Sequence, residues 1–428
     1  MIKHTIHNLT AREILDSRGQ PTLEVKIELG GGIQAVAAVP SGTSTGAHEA
    51  AELRDTDSAR YGGQGVLRAV QAVNDIIGPQ LKGAAVMDQT AIDAQLIELD
   101  GTPNKSRLGA NALLAVSLAC ARVTSLAWHI PLYRYLRQVY KLEMPSWTLP
   151  QLMMNFINGA KHADTNLPIQ EIMVIPRLQR KAKGQVVTDV AESVRVGAEI
   201  FHHLGQILKN NNLDTDLGFE GGYAPNFQNT EQAFDLFIQA VKSAGFKLGS
   251  QVAMGLDMAA SEFYKSGKYQ WQGQAYSVSA LVNLYADWMQ KYPLTVVEDG
   301  LDQDDWDGWK TMTETLGSRL LLVGDDLFVT NSKRLAQGAR YPAANAIIIK
   351  PNQVGTLTET INTVKLAQKF GYQIVVSHRS GETTDDFIAD LAVAVAAEYI
   401  KAGSVARGER VAKYNRLMAI ELELFGSR

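Results

Sequence analysis

Six short apolar runs in the second half of this chain each end on a charged or titratable residue. They are VAMGLD at Asp257, LTVVE at Glu298, LLLVGD at Asp325, AIIIK at Lys350, QIVVSH at His378 and AEYIK at Lys401. The steps between these residues are 41, 27, 25, 28 and 23 positions. A strand, a helix and two short loops take up about 25 residues, so the rhythm is that of a repeated strand–helix unit. Strands covered by helices on both faces read as unbroken apolar runs, and a charge closing such a run stands at the strand's C-terminal end. In a (β/α)8 barrel that end is where chemistry collects. One charged strand end is ordinarily a residue reaching water. Six in succession, three acidic and three basic or imidazole, describe the lining of a mouth.

A chain of 428 residues accommodates such a barrel and one further domain. The first third has a different texture. TLEVKIEL alternates with a period of two, Gly30 to Gly32 turn the chain, and IQAVAAV follows, which reads as an antiparallel meander. SGTSTGAHEA, from Ser41, is small and polar and reads as a mobile loop. Residues 64–137 carry apolar positions at three- and four-residue spacing and read as helices. The expectation is an α+β capping domain over 1–137 with a lid loop at 41–48, and a barrel over 142–428.

A net charge of −4 argues against nucleic acid as the main partner. No apolar run is expected to reach the roughly 18 residues that span a bilayer. The N-terminal MIKHTIHNLTARE has no apolar stretch of the secretory kind, so a cytoplasmic location is expected. The single cysteine, Cys120, lies in the apolar stretch ANALLAVSLACARV and reads as packing.

Asp257, Glu298 and Asp325 fall on three consecutive strand ends. Neighbouring strands lie about 4.8 Å apart, so these carboxylates would repel without a cation between them. An all-oxygen donor set favours a hard ion, Mg²⁺ with Mn²⁺ as surrogate. Lys350 comes one strand later. Close to a divalent cation and to Lys401 its pKa should fall, making it a base for a carbon acid next to a carboxylate. In HRSGET, Arg379 and Ser380 follow His378 and suit a phosphate, which a guanidinium grips by two parallel bonds. Upstream, LMMNFINGAKHADTNLPIQEIMVIP supplies His162 and Glu171, and LGFEGGYAPN supplies Glu220 between glycines.

Long segments of the chain resemble the enolase family. They are AREILDSRGQPTLEV from Ala11, VPSGTSTGAHEA from Val39, LGANALLAVSLA from Leu108, GLDMAASEFYKSGKY from Gly255, VGDDLFVTN from Val323, NQVGTLTET from Asn352 and VSHRSGETTDDFIADLAVA from Val376. The likeness covers essentially the whole chain and is of the bacterial type, somewhat divergent. It implies an α/β fold, a ββαα(βα)6 barrel with an N-terminal α+β cap. It also implies a Mg²⁺-dependent lyase, with two ions per site, that interconverts 2-phospho-D-glycerate and phosphoenolpyruvate in glycolysis and gluconeogenesis; the superfamily uses a Lys or His base with one or two Mg²⁺.

By the same resemblance, Asp257, Glu298 and Asp325 hold the tighter ion and Ser44 ligates the second. Lys350 removes the C2 proton. Glu220 acts on the C3 hydroxyl with Glu171 beside it. His162, Glu171, His378, Arg379, Ser380 and Lys401 bind substrate. Enolases form dimers and sometimes octamers, need no nucleic acid or membrane, and in some cases also appear at the cell surface. Several positions depart from the family's usual pattern: Thr43, Ala160, Lys161, Phe219, Pro351 and Gly408. Phe219 stands where an Asp is usual beside Glu220, which keeps open a paralogue acting on a related phospho- or phosphono-carboxylate, as the carboxyphosphonoenolpyruvate synthases do.

Overall fold

The computed structural model describes residues 4–42, 46–144 and 146–426. Eight strands close into a barrel. In chain order they are Gln151–Asn158, Glu171–Pro176, Val252–Asp257, Leu294–Glu298, Leu321–Gly324, Ala346–Ile349, Gln373–Ser377 and Tyr399–Lys401. The second strand runs antiparallel to both the first and the third. The remaining neighbours are parallel, and the eighth closes on the first in parallel. Two helices, Val190–Asn210 and Thr230–Ser243, separate the second and third strands, so the order is ββαα(βα)6. The long step from Asp257 to Glu298 has a local cause. A three-stranded sheet, Tyr264–Lys265, Lys268–Trp271 and Gln274–Tyr276, is inserted before the helix Val278–Lys291.

The apolar runs are buried on both faces, as parallel barrel strands require. Within AIII, Ala346 and Ile348 join Met153, Met173, Val296, Val323 and others in the barrel interior. Ile347 and Ile349 face the helices and belong to the larger core. The helices start where the sequence caps them. Asp189, Asn229, Ser277, Asp305, Asn331 and Thr356 each precede a barrel helix, and each side chain accepts a hydrogen bond from a first-turn N–H.

The cap is an antiparallel meander of Ile6–Leu15, Pro21–Leu29 and Gln34–Ala38, followed by helices. Its central helix, Ala110–Ala127, corrects one expectation from the sequence. By length and composition it could cross a membrane, yet 89% of it is buried inside the protein. Alanines and small polar residues let it pack tightly against the meander and hold Cys120 in the core. The cap is tied to the barrel at several points. Arg122 grips the Asp385 carboxylate with two bonds of 2.8 Å. Asp93 accepts from the Thr358 N–H at 2.8 Å and its hydroxyl at 2.6 Å. Ser41 and Gly381 exchange backbone hydrogen bonds of 2.8 and 2.9 Å, which pins one end of the lid segment to the barrel mouth.

Ile348 is fully buried in the barrel interior, where the helices outside leave little room to collapse. Ile348→Ala is expected to cost about 2–5 kcal/mol. The shift of the barrel's urea-unfolding midpoint measures this, and a shift equivalent to less than about 1 kcal/mol would mean that the interior repacks.

Candidate active site

All six charged strand ends arrive at one rim. Asp257, Glu298 and Lys401 are the last residues of their strands; Asp325, Lys350 and His378 come one residue after theirs. The register aligns them: Glu298 pairs with Asp257, and Asp257 pairs with Glu171 on the antiparallel second strand. The result is a crowd of buried carboxylates around one ammonium. Lys401 Nζ lies 2.8 Å from Glu298, 3.0 Å from Asp257 and 3.1 Å from Glu171. Although burial opposes the charge, these acids raise the Lys401 pKa well above its ordinary value. Lys350 bonds Asp325, whose other oxygen accepts from Gln353 at 3.0 Å.

The expected triad of Asp257, Glu298 and Asp325 is therefore spanned by amines. Among the described residues, the groups whose ligating atoms all lie within 4.8 Å of one another are Asp299, Asp325 and Asp326, and His162, Glu171 and Glu220. The donor set still fits a divalent ion. Glu298 is buried, and its Oε1 has no hydrogen-bond partner. Burial and then Asp257 push its carboxyl well above the usual range, so the site lacks positive charge. An unpartnered carboxylate oxygen in an all-oxygen setting calls for a hard cation. Ser44, the expected ligand of a second ion, and Thr43 lie outside the described residues.

His162 ties together the two remaining acids. Its Nδ1 stands 3.2 Å from Glu220 and 3.4 Å from Glu171. Burial works against its charge, but Glu220 and Glu171 prevail and lift its pKa to about 10. The acids then split. Burial and the Glu220 charge raise Glu171 to about 7. Burial works the same way on Glu220, but His162 outweighs it and holds that carboxyl well below its ordinary value. Asn155 Nδ2 adds a donor to Glu220 at 2.7 Å. The two carboxyls thus shift in opposite directions, Glu171 upward and Glu220 downward, whereas the resemblance assigns the acid's part to Glu220.

Arg379 is engaged by an acid that directly follows the expected lid loop. Glu49 accepts two bonds from its guanidinium, at 2.8 and 3.2 Å, and Asn352 a third at 3.1 Å. Gly46 brings the same segment hard against the rim, because a side chain there would meet Val329 at 2.7 Å and Asp326 at 3.1 Å. A cavity of about 30 Å³ lies among these groups, with Glu171, Glu220, Asp257, Lys350, Arg379 and Lys401 in its wall. Glu49 and Arg379 also line a larger open cavity of about 810 Å³ beside it.

Sequence reading missed Glu49, Asn155, Gln170, Asp299, Asp326 and Arg410. Gln170 donates to Asp257 at 3.1 Å, and Asp299 accepts the N–H groups of Asp325 and Asp326 at 2.9 and 2.8 Å. Gln170, Asp299 and Asp326 each adjoin a residue that the sequence singled out, and that adjacency was the available signal. The departures from the family pattern leave the site's framework in place. Phe219 is 40% exposed, with its ring at the open cavity, and uses only its backbone to hold the turn. Lys161 pairs with Glu262 at 2.6 Å near the surface. Pro351 opens a short 3-10 turn and leaves the Lys350 N–H bonded to Thr330 at 2.9 Å.

Glu171 gives stability a pH dependence whose sign is fixed. A carboxyl raised from 4.5 to about 7 keeps its proton in the folded protein while the unfolded chain releases it. Its contribution is full below the unfolded value and falls as pH rises toward 7, by up to ~3 kcal/mol. Metal-free Glu171→Gln should lose less thermal stability than the parent across that window. Parallel curves would mean that Glu171 is ionised when folded.

Two family profiles match the chain. Residues 6–136 match the profile described as the enolase N-terminal domain, and residues 146–427 match the enolase C-terminal TIM barrel domain. Enolase-type dehydration is lyase chemistry on a small phosphorylated carboxylate, and the family binds divalent metals, which accords with the acidic clusters at this rim. With both profiles covering the chain almost end to end, and with the closed eight-stranded barrel and its cap, this chain belongs to the enolase family.

Proposed function

We propose that this protein interconverts 2-phospho-D-glycerate and phosphoenolpyruvate with Mg²⁺, as a cytoplasmic homo-oligomer. The observation that carries this reading is one small cavity with a lysine amine, two carboxyls flanking one imidazole and an arginine in its wall. Asp257, Glu298 and Asp325 would hold Mg²⁺. The ion would supply Lewis-acid charge for a substrate carboxylate that gains a second negative charge when the neighbouring carbon is deprotonated.

The chain's own groups take the other parts. Lys401 stands ready to pair with the substrate carboxylate, and Arg379 with the phosphate, once Glu49 yields its place. Lys350 is the candidate base. The fall in pKa expected from the sequence depends on a neighbouring divalent ion; in the metal-free protein the pKa is raised, because burial opposes the charge but Asp325, in direct contact, outweighs it. Its amine becomes free to accept a proton only when the Asp325 charge is satisfied by something else. For the leaving hydroxyl, the proton comes from the Glu171–His162–Glu220 cluster. Glu171 stores it near neutral pH, and ionised Glu220 serves the reverse direction, where water must be activated. The segment from Ser41 to Glu49 shuts out water when it closes over the mouth.

The direct test is Mg²⁺-dependent formation of the enol product, followed by absorbance. Lys350→Ala and Glu220→Gln should each lower kcat by about 10²–10⁴-fold. Undiminished turnover in Lys350→Ala would remove the assigned base. Mg²⁺ should also raise the thermal midpoint. Asp325→Asn should abolish that shift, and a shift of equal size in the variant would place the ion elsewhere.

The exposed ring of Phe219 at the mouth supports a second reading, a phosphono-carboxylate substrate. Assaying both substrates side by side decides between them. Phe219→Asp should improve turnover of 2-phospho-D-glycerate only if the ring is what limits it.

A further inference from the structure

The last helix, Gly408–Phe425, turns two buried cations inward one turn apart. Lys413 bonds Glu382 at 2.8 Å and the Thr383 carbonyl at 2.7 Å. Arg410, with no exposed surface, reaches further. Its Nη1 lies 2.5 Å from His378 Nδ1 and donates to the Arg379 carbonyl at 2.7 Å. Its Nη2 donates to the Ser380 carbonyl at 2.6 Å and the Phe219 carbonyl at 3.0 Å. One guanidinium thus ties the HRS turn to the turn that carries Glu220.

The contact with His378 has a chemical consequence. A guanidinium can only donate, so His378 Nδ1 must accept. An imidazole that accepts at Nδ1 carries its single proton on Nε2 and is neutral. That Nε2 points at Glu220, 3.6 Å from Oε1. This is slightly beyond hydrogen-bond length, and a small inward movement would close it.

We propose that Arg410 is a positioning residue that locks His378 as the neutral Nε2–H tautomer, giving Glu220 a neutral donor on one oxygen opposite charged His162 on the other. The groups facing His378 agree with this assignment. Burial lowers its pKa; Glu220 opposes, while Arg410, Lys401 and Lys350 reinforce the lowering, and the net value lies well below the ordinary one. Two imidazolium rings would fix Glu220 permanently as a carboxylate. One charged and one neutral ring leave its proton affinity adjustable. The effect on turnover rests on the proposed reaction, whereas the tautomer does not.

The test uses the full chain, metal-free and labelled with ¹⁵N-histidine. His378 signals are assigned by their loss in His378→Gln and followed across about pH 5–8. The expected spectrum has an unprotonated Nδ1 and a protonated Nε2 with no titration. A proton on Nδ1, or titration within that range, overturns the assignment. Arg410→Gln should let His378 titrate and shift the pH profile of kcat. It should lower kcat by about ten- to a hundredfold with a smaller change in KM. An unchanged profile with an unchanged tautomer would reduce Arg410 to a carbonyl tether. If that variant does not fold, the parent spectrum alone decides. A locked tautomer in a protein without turnover would sink the proposed reaction and spare this assignment; a titrating His378 in an active enzyme would do the reverse.

Discussion

The ammonium of Lys401, buried against Glu171, Asp257 and Glu298, is the interaction on which the barrel mouth depends. Strand register forces those three acids together, since each occupies a terminal position and neighbouring strands hold them about 4.8 Å apart. Taking them out of water is costly, and an uncompensated buried charge destabilises by several kcal/mol. Lys401 offsets only part of this, as the unpartnered oxygen and high carboxyl pKa of Glu298 record. The mouth is therefore held short of positive charge. A divalent ion binds strongly where such a deficit already exists, and the fold's stability elsewhere maintains it.

The same deficit sorts the protons. Asp325 favours the charged form of Lys350, so the proton affinity of its amine follows the state of that carboxylate. Base strength is thus linked to the state of the neighbouring carboxylates. On the far side, Glu171 and Glu220 share His162 but separate in pKa: burial and then the Glu220 charge raise Glu171, while on Glu220 burial is outweighed by His162. Two acids in one pocket acquire different parts through their partners alone.

Much of this was legible in the sequence because a parallel barrel writes itself plainly. Strands buried on both faces must be apolar throughout, so a charge at their end stands out, and the spacing of the six charges follows from the strand–helix unit. The antiparallel second strand broke that rhythm, and Glu171 stands at the start of its strand, so Glu171 came from resemblance and local context. Glu49, Asn155 and Arg410 were not legible. Their partners lie 330, 65 and 32 positions away, and nothing local distinguishes them from solvated residues. The apolar helix Ala110–Ala127 is longer and more apolar than the sequence reading allowed, yet its reading as packing around Cys120 holds, since such a composition also suits a helix wrapped by its own protein. The sequence gives the neighbours of a charge and not which of them touches it, so the direct contact of Lys350 with Asp325 was not legible either.

The cap domain follows from the same electrostatics. A barrel mouth crowded with acids could simply face water, and its charges would then be screened and its carboxylates ordinary. Ser41 bonded to Gly381 and Glu49 bonded to Arg379 tie the cap to the barrel mouth. The site's charged groups are buried, and the low dielectric of a buried setting makes each charge pair in the pocket consequential. The Glu49 contact also sets a condition on ligands. On the proposed reading, an anion bound by Arg379 would have to displace the Glu49 carboxylate, because that carboxylate already occupies the guanidinium's fork. Occupation of the guanidinium by a ligand and its contact with Glu49 are therefore mutually exclusive.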